Sequence, residues 1–231
     1  MLRRLATGLL AVLALALLAT GCGGSDGPSP EELVAESVEA TGAVESFHLV
    51  VNVENVPTPG SGLGLTFVDG DIAVPDRMAA KVGGTFQGVP LSSELVIVGD
   101  DHWLKIPFVN RWQQVDVGLT VERFLDPAQG VLPVIESATE LEDEGSEEVG
   151  GVDTHRLAGM VRVADVAPLL GVEEGAAELV PVELWIGKDD KLLRRLRVTG
   201  VLAPGDTAES VRTVELSAFG EPVEITAPTA S

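Results

Sequence analysis

Three histidines, His48, His102 and His155, are the side chains of this chain best suited to proton transfer or metal binding at neutral pH. Each stands alone on a predicted strand or strand end, and none has metal-type spacing to another histidine or to Cys22. No metal or other cofactor is therefore expected. Nucleophilic chemistry has no better start. Gly60-Ser61-Gly62 is a turn fragment and no nucleophile elbow, and Gly62-Leu63-Gly64 does not continue as a dinucleotide fingerprint. A hydrolase would need the fold to bring one of the histidines to a serine and a carboxylate. The spacing offers no such pair, and the chain is not expected to be an enzyme. Glu140, Glu142, Asp143, Glu144, Glu147 and Glu148 form the densest acidic group. Without an EF-hand pattern, they read as a solvated loop before a strand at Thr154. Arg194, Arg195 and Arg197 are the basic cluster, with Arg195 and Arg197 on one strand face and Arg194 on the other. Pairing with acids on neighbouring strands and contact with anionic lipid headgroups both fit them. Trp103, Trp112 and Trp185 suit either a core or a lipid entrance.

The single cysteine, Cys22, has a clearer chemistry. Arg3 and Arg4 precede an apolar run from Leu5 to Leu18, and the small residues Ala19, Thr20 and Gly21 lead to Cys22. This is the layout of a secretory signal peptide, with an apolar run shorter than the roughly 20 residues of a spanning helix. Leu18-Ala19-Thr20-Gly21-Cys22 resembles a bacterial lipobox, in which the chain is cut before a cysteine whose thiol carries diacylglycerol. Two or three acyl chains anchor a protein stably, where one does not. Residues 1–21 are thus expected to be a lipoprotein signal peptide, Cys22 the acylated residue and residues 22–30 a flexible Gly-Ser-Pro tether. The domain would sit on the outer face of the cell membrane, within the envelope.

The chain has 15 basic and 36 acidic residues, a formal charge of −21. Cleavage before Cys22 removes Arg3 and Arg4, leaving 13 basic residues. Nucleic acid is excluded as a partner, because phosphate contacts need clustered Lys and Arg. The remainder, residues 31–231, is long enough for one domain with a substantial core.

The elements that must position these residues begin with an amphipathic helix from Pro30 to about Val44. Ser29 caps it, and Leu33, Val34 and Val38 form its apolar face, with Ala35 at the edge. From Phe47 the period becomes two: Phe47, Leu49, Val51 and Val53 alternate with His48, Val50 and Asn52. Strands are predicted at 65–74, 77–86, 91–98, 102–106, 112–115, 154–163, 181–186, 191–201 and 209–218. Gly99-Asp100-Asp101 and 187–190 form hairpin turns. The segment 119–125 is ambiguous. Asp126 and Pro127 suggest a helix start running toward Glu136, and 163–170 reads as a short helix capped near Asp165. Several strands are apolar on both faces, as in Leu95-Val96-Ile97-Val98 and 180–186. A sheet covered by helices and partly closed on itself accounts for this, and so does a face lining an apolar cavity.

Nearly the whole mature chain resembles the actinobacterial LppX/LprAFG lipoproteins. The likeness is carried, in order, by the lipobox, Val44-Glu45-Ser46-Phe47-His48-Leu49, Val98-Gly99-Asp100-Asp101-His102-Trp103-Leu104, and Trp112 with Val115. Asp126-Pro127-Ala128-Gln129-Gly130-Val131-Leu132, Pro181-Val182-Glu183-Leu184-Trp185-Ile186 and the closing run Phe219-Gly220-Glu221-Pro222-Val223-Glu224-Ile225 complete it. The resemblance implies an α+β fold, with a curved antiparallel sheet forming a half-open barrel. Helices cover one side, a hydrophobic cavity lies between, and the shape is similar to the lipoprotein-sorting carriers. It implies a membrane-anchored carrier of multi-acyl lipids or glycolipids that assists their transfer to the outer envelope, with a membrane exporter as a further partner. A surface lipoprotein acting as a scaffold or exporter accessory, without lipid cargo, is the alternative. The residues then expected to line the cavity are Leu49, Val51, Leu95, Ile97, Leu132, Ile135, Val161, Leu184 and Ile186.

Overall fold

The structure is a computed structural model. It describes residues 27–56, 63–86, 88–107, 109–115, 121–126, 130–170 and 178–229. Helix α1 (Pro30–Gly42) precedes strands β1 (Ser46–Glu54), β2 (Leu63–Ala73), β3 (Arg77–Phe86), β4 (Val89–Val98), β5 (Asp101–Ile106) and β6 (Arg111–Gln114). Short helices α2 (Val121–Leu125) and α3 (Val131–Glu136) follow, then the hairpin β7 (Thr139–Val149) and β8 (Val152–Arg162). Helix α4 (Val163–Val166), extended by a 3₁₀ turn to Leu170, leads to β9 (Leu179–Gly187), β10 (Leu193–Thr199) and β11 (Val211–Ser217).

All eleven strands form one antiparallel sheet in the order β6-β5-β4-β3-β2-β1-β11-β10-β9-β8-β7. It is two meanders joined by its first and last strands. The seam between them runs from His48 opposite Ser217 to Glu54 opposite Val211. The outer strands β6 and β7 pair on one side only, so the curved sheet stays open.

Alternation along each strand sorts the two faces. One register row crosses seven strands as Val82, Val68, Val51, Val214, Leu196, Leu184 and Leu157. A second crosses six as Leu104, Leu95, Ala80, Gly70, Leu49 and Leu216. This aliphatic face is the core side, and the helices cover it. α1 begins with a capping box between Ser29 and Glu32, with Pro30 in its first turn. It buries Leu33, Val34, Ser37 and Thr41, while Ala35 is exposed and Val38 half-buried. The apolar face therefore continues through small hydroxyl residues rather than Ala35. Thr41 Oγ1 accepts a hydrogen bond from the Leu193 amide at 3.0 Å, which pins the helix to the start of β10.

Four expectations are corrected. The acidic group from Glu140 to Glu148 is strand β7 and no loop. It is almost wholly exposed, so it needs no apolar alternation, and its charges suit an open sheet edge. Gly150 and Gly151, at φ 59° and 83°, turn it tightly into β8. α3 is capped by Gly130, without a side-chain bond, instead of starting at Asp126; Pro127 lies outside the described residues. α4 has Arg162 as its cap, and the Asp165 carboxylate accepts from Arg162 Nε at 2.9 Å. The ambiguous segment contains helix α2, with Leu119 and Thr120 outside the described residues.

Gly70 marks the tightest point of the aliphatic face. A β-carbon there would overlap the Ala79 carbonyl and Ala80 on the neighbouring strand. Gly70→Ala is expected to destabilise the fold by about 1–3 kcal/mol, the usual range for overpacking. Gly27→Ala, at a position with open space around it, should leave the urea midpoint unchanged.

Candidate functional site: an aliphatic face under short helices

The strand residues expected to line a cavity all fall on this one face. Leu49, Leu95, Ile97, Val161, Leu184 and Ile186 are buried, and Val51 is half-buried at the middle of the seven-strand row. Leu132 and Ile135 reach the same cluster from α3, together with Val131 and Val134. The alternation of β1 had pointed to Phe47. Its ring meets Phe124 of α2 at 5.8 Å and Phe219 at 6.4 Å between centroids. Leu216, Leu196 and Val198 belong to the buried cluster as well, and Val214, like Val51, packs against it half-buried. Alternation along β10 and β11 is the signal that could have found them. Cys22 lies outside the described residues.

The covering helices differ in how firmly they are held. α1 is capped at its start and tied to β10 at its end. α2 and α3 have five and six residues, far below the length at which a helix is stable on its own. α3 has no side chain capping its start, though Ser137 Oγ at its end donates to the Val134 carbonyl at 3.1 Å, and it contains Pro133. Packing against the sheet is what keeps these two helical. Most of the aliphatic face is buried, while Val82, Val51 and Val214 of the seven-strand row are half-buried. Surface pockets of about 280, 460 and 300 Å³ lie instead beside Ser93 and Lys105, beside His102 and Gln114, and beside His48 and Asp71.

The opposite face carries the charges. Arg156 Nη2 donates to Glu183 at 2.5 Å, Arg195 Nε to Glu215 at 2.7 Å, and Arg197 lies 3.7 Å from Glu183. Trp185 sits between the guanidinium groups of Arg156 and Arg195, at 5.6 and 5.1 Å, and its indole donates to Glu147 of β7 at 2.9 Å. The arginine cluster is thus engaged in cross-strand pairing. Arg194, on the aliphatic side, pairs with Asp190 and lies 4.7 Å over the Phe219 ring. Trp112 stands 5.7 Å from the Lys105 ammonium, and Trp103 is half-buried.

The histidines lie on separate strands, β1, β5 and β8. His48 Nδ1 shares a hydrogen bond with Asp71 at 2.7 Å on the charged face. Burial depresses the pKa of His155, opposed by nearby Asp143 and aided by Lys191 and Lys188. Among the described residues, no group of three or more metal-ligating side chains is placed to hold an ion.

One end of the aliphatic face is closed by the 200–210 connection. Leu202 enters the core, and Ser210 Oγ donates to the Asn55 carbonyl at 3.1 Å. Asp206, with 1% of its side chain exposed, takes two hydrogen bonds from Arg212 at 2.8 and 2.9 Å and one each from the Leu202 and Ala203 amides. Burial alone would raise this carboxyl, but Arg212 and the two amides outweigh it and hold the pKa below the ordinary 3.8.

This antiparallel sheet with its few helices is a fold shared with two solved mycobacterial lipoproteins. The crystal structure of LprF from Mycobacterium bovis superposes with a TM-score of 0.71, covering 89% of this chain and 99% of that one at 21% identity. Lipoprotein LppX of Mycobacterium tuberculosis gives 0.62 over 85% and 98% at 22% identity. The chain belongs to the LppX_LprAFG lipoprotein family, whose model matches residues 29–225. In sequence, it is 30% identical to an LppX of Mycobacterium tuberculosis named for phthiocerol dimycocerosate transport, over 68% of this chain and 64% of that relative. It is 27% identical to the lipoarabinomannan carrier protein LprG of Mycobacteroides abscessus over 99% of both chains.

Breaking the Arg212–Asp206 pair should cost about 3–5 kcal/mol, because it leaves a buried guanidinium without its partner. Because the folded-state pKa is lowered, the carboxylate's contribution is complete above the ordinary carboxylate range. It fades as pH falls through the folded value. The stability gap between wild type and Asp206→Asn, measured by urea titration at stepped pH, should be full at neutral pH and shrink in acid. A gap that stays constant with pH would contradict the assignment.

Proposed function

We propose that the protein is a membrane-anchored lipid carrier. In this reading Cys22 bears the acyl anchor, and the aliphatic face takes the chains of a multi-acyl lipid or glycolipid on its way to the outer envelope. The observation that carries it is the unbroken seven-strand aliphatic row beneath helices too short to be stable alone. Relatives named as carriers of lipids and of lipoarabinomannan support the same reading. Cargo enters where the cover is held least firmly, by displacing α2 and α3 from the sheet. α1, secured at both ends, stays in place. Each methylene moved from water to this face contributes about 0.8 kcal/mol. Two chains of ordinary length can therefore replace the helix contacts and leave a surplus for binding. No group on this face is required to react, in keeping with a carrier. A membrane exporter is the natural donor or acceptor for such a shuttle.

Solvent extraction of the purified protein, followed by mass spectrometry, is expected to release a multi-acyl lipid in near-stoichiometric amount. Extracts without lipid, and no uptake of added acylglycerols or glycolipids, would count against the carrier. Cys22→Ser is expected to abolish acylation and move the processed protein from the membrane to the soluble fraction. Retention in the membrane at the wild-type level would remove the anchor from this account.

A further inference from the structure

The hairpin topology sorts the connections between strands to two ends of the sheet. The connections β1–β2, β3–β4, β5–β6, β8–β9 and β10–β11 share one end; β2–β3, β4–β5, β7–β8 and β9–β10 share the other. The two ends differ in chemistry. Among the described residues, the exposed large aliphatic side chains are Leu65, Val74, Val89, Val109, Leu179 and Val201. All but Val74 lie at the first end, with exposures of 45–57%. They follow the curved rim from the β5–β6 turn to β9. Val89 and Leu65 also lie on the aliphatic face, in register with Phe86 and Gly84 of β3. The opposite end carries exposed acids, among them Glu45, Asp100, Asp101, Asp153, Asp189 and Glu221.

We propose that the apolar rim is the surface by which the domain seats on a lipid bilayer, with the acidic end pointing away. Exposed aliphatic residues grouped on one edge, in a molecule otherwise covered by charge, mark an interaction surface. Two observations favour a bilayer as the occupant. Cys22 precedes the helix cap Ser29 by seven residues, a span of at most about 25 Å. An acylated Cys22 therefore keeps the domain within reach of the membrane. The charge of −21 makes anionic surfaces unfavourable and selects neutral headgroups. Glu54, Arg111, Arg162, Glu178 and Glu209 stand around the rim, at a height suited to the headgroup layer. The proposal rests on the carrier reading only for the anchor at Cys22.

The test uses the mature lipoprotein reconstituted in phosphatidylcholine vesicles containing nitroxide-labelled lipid. Acylation blocks Cys22, so an environment-sensitive dye attaches only to a single introduced cysteine: Val89→Cys or Leu179→Cys on the rim, Asp100→Cys or Asp189→Cys at the acidic end. Rim dyes are expected to be quenched and acidic-end dyes to remain unquenched. Adding Val109→Glu and Val201→Glu should abolish rim quenching, while thermal stability and co-purifying lipid stay unchanged. Anionic lipid should weaken the quenching at low salt. Equal quenching at both ends, or none, would overturn the proposal. So would stronger quenching on anionic vesicles, or rim dyes shielded by concentration-dependent dimerisation without lipid contact. The mass of the purified protein reports the anchor, and lipid extraction reports the cargo, so failure of either is read separately from failure of the rim.

Discussion

The pairing of β1 with β11 is the interaction on which the rest of the structure depends. It joins His48 to Ser217 across most of the chain, and among the described residues it is the strand pairing that links the two meanders. Its register sets Val51 opposite Val214 and Leu49 opposite Leu216. A slip of one residue would turn every aliphatic side chain of one meander to the charged face. Forming such a contact requires closing a long loop first. The C-terminal segment then locks the join: Ser46 donates to the Glu221 carbonyl at 2.7 Å and Arg77 to the Ile225 carbonyl at 2.9 Å.

Once the seam is set, the two faces divide the work. The outer face satisfies charge with charge across strands, as Arg156, Glu183 and Arg197 do, and Trp185 is buried beneath two guanidinium groups. The inner face has aliphatic rows where a carrier needs apolar contact. Its cover is graded from α1, with its capping box, to the short α3, which has no side chain capping its start. That gradation gives a physical reason for one part of the cover to yield while the rest holds the sheet in shape. The buried Asp206–Arg212 pair serves as a fixed stop at one end.

The parts of the fold legible in the sequence are those where burial writes itself into alternation. Phe47, Leu49 and Val51 announce β1, and glycine-rich turns bound β4, β5, β9 and β10. Strand β7 was hidden because both of its faces meet water, so backbone pairing with β8 holds it without any apolar period. Gly150-Gly151 was its one local mark. Asp126-Pro127 had the chemistry of a helix start, yet α3 begins at Val131, because its four buried apolar residues decide where packing supports a turn. The seam has no local signature, since nothing near Val51 or Val214 names its partner. Nor can periodicity tell a face packed against helices from one lining a void. The strand residues expected at the site fall on one face, while the proposed way in rests on the short length of α2 and α3, which no periodicity in those segments announces.

The central claim is that acyl chains occupy the aliphatic face between the sheet and the short helices. The most direct measurement is photo-crosslinking with a lipid whose acyl chain carries a diazirine, followed by peptide mapping. The account predicts adducts on the inward residues of β1, β9 and β11 and on α3, at positions such as Leu49, Leu184, Leu216 and Ile135. Adducts confined to the charged face around Trp185, or absent from the sheet altogether, would contradict it.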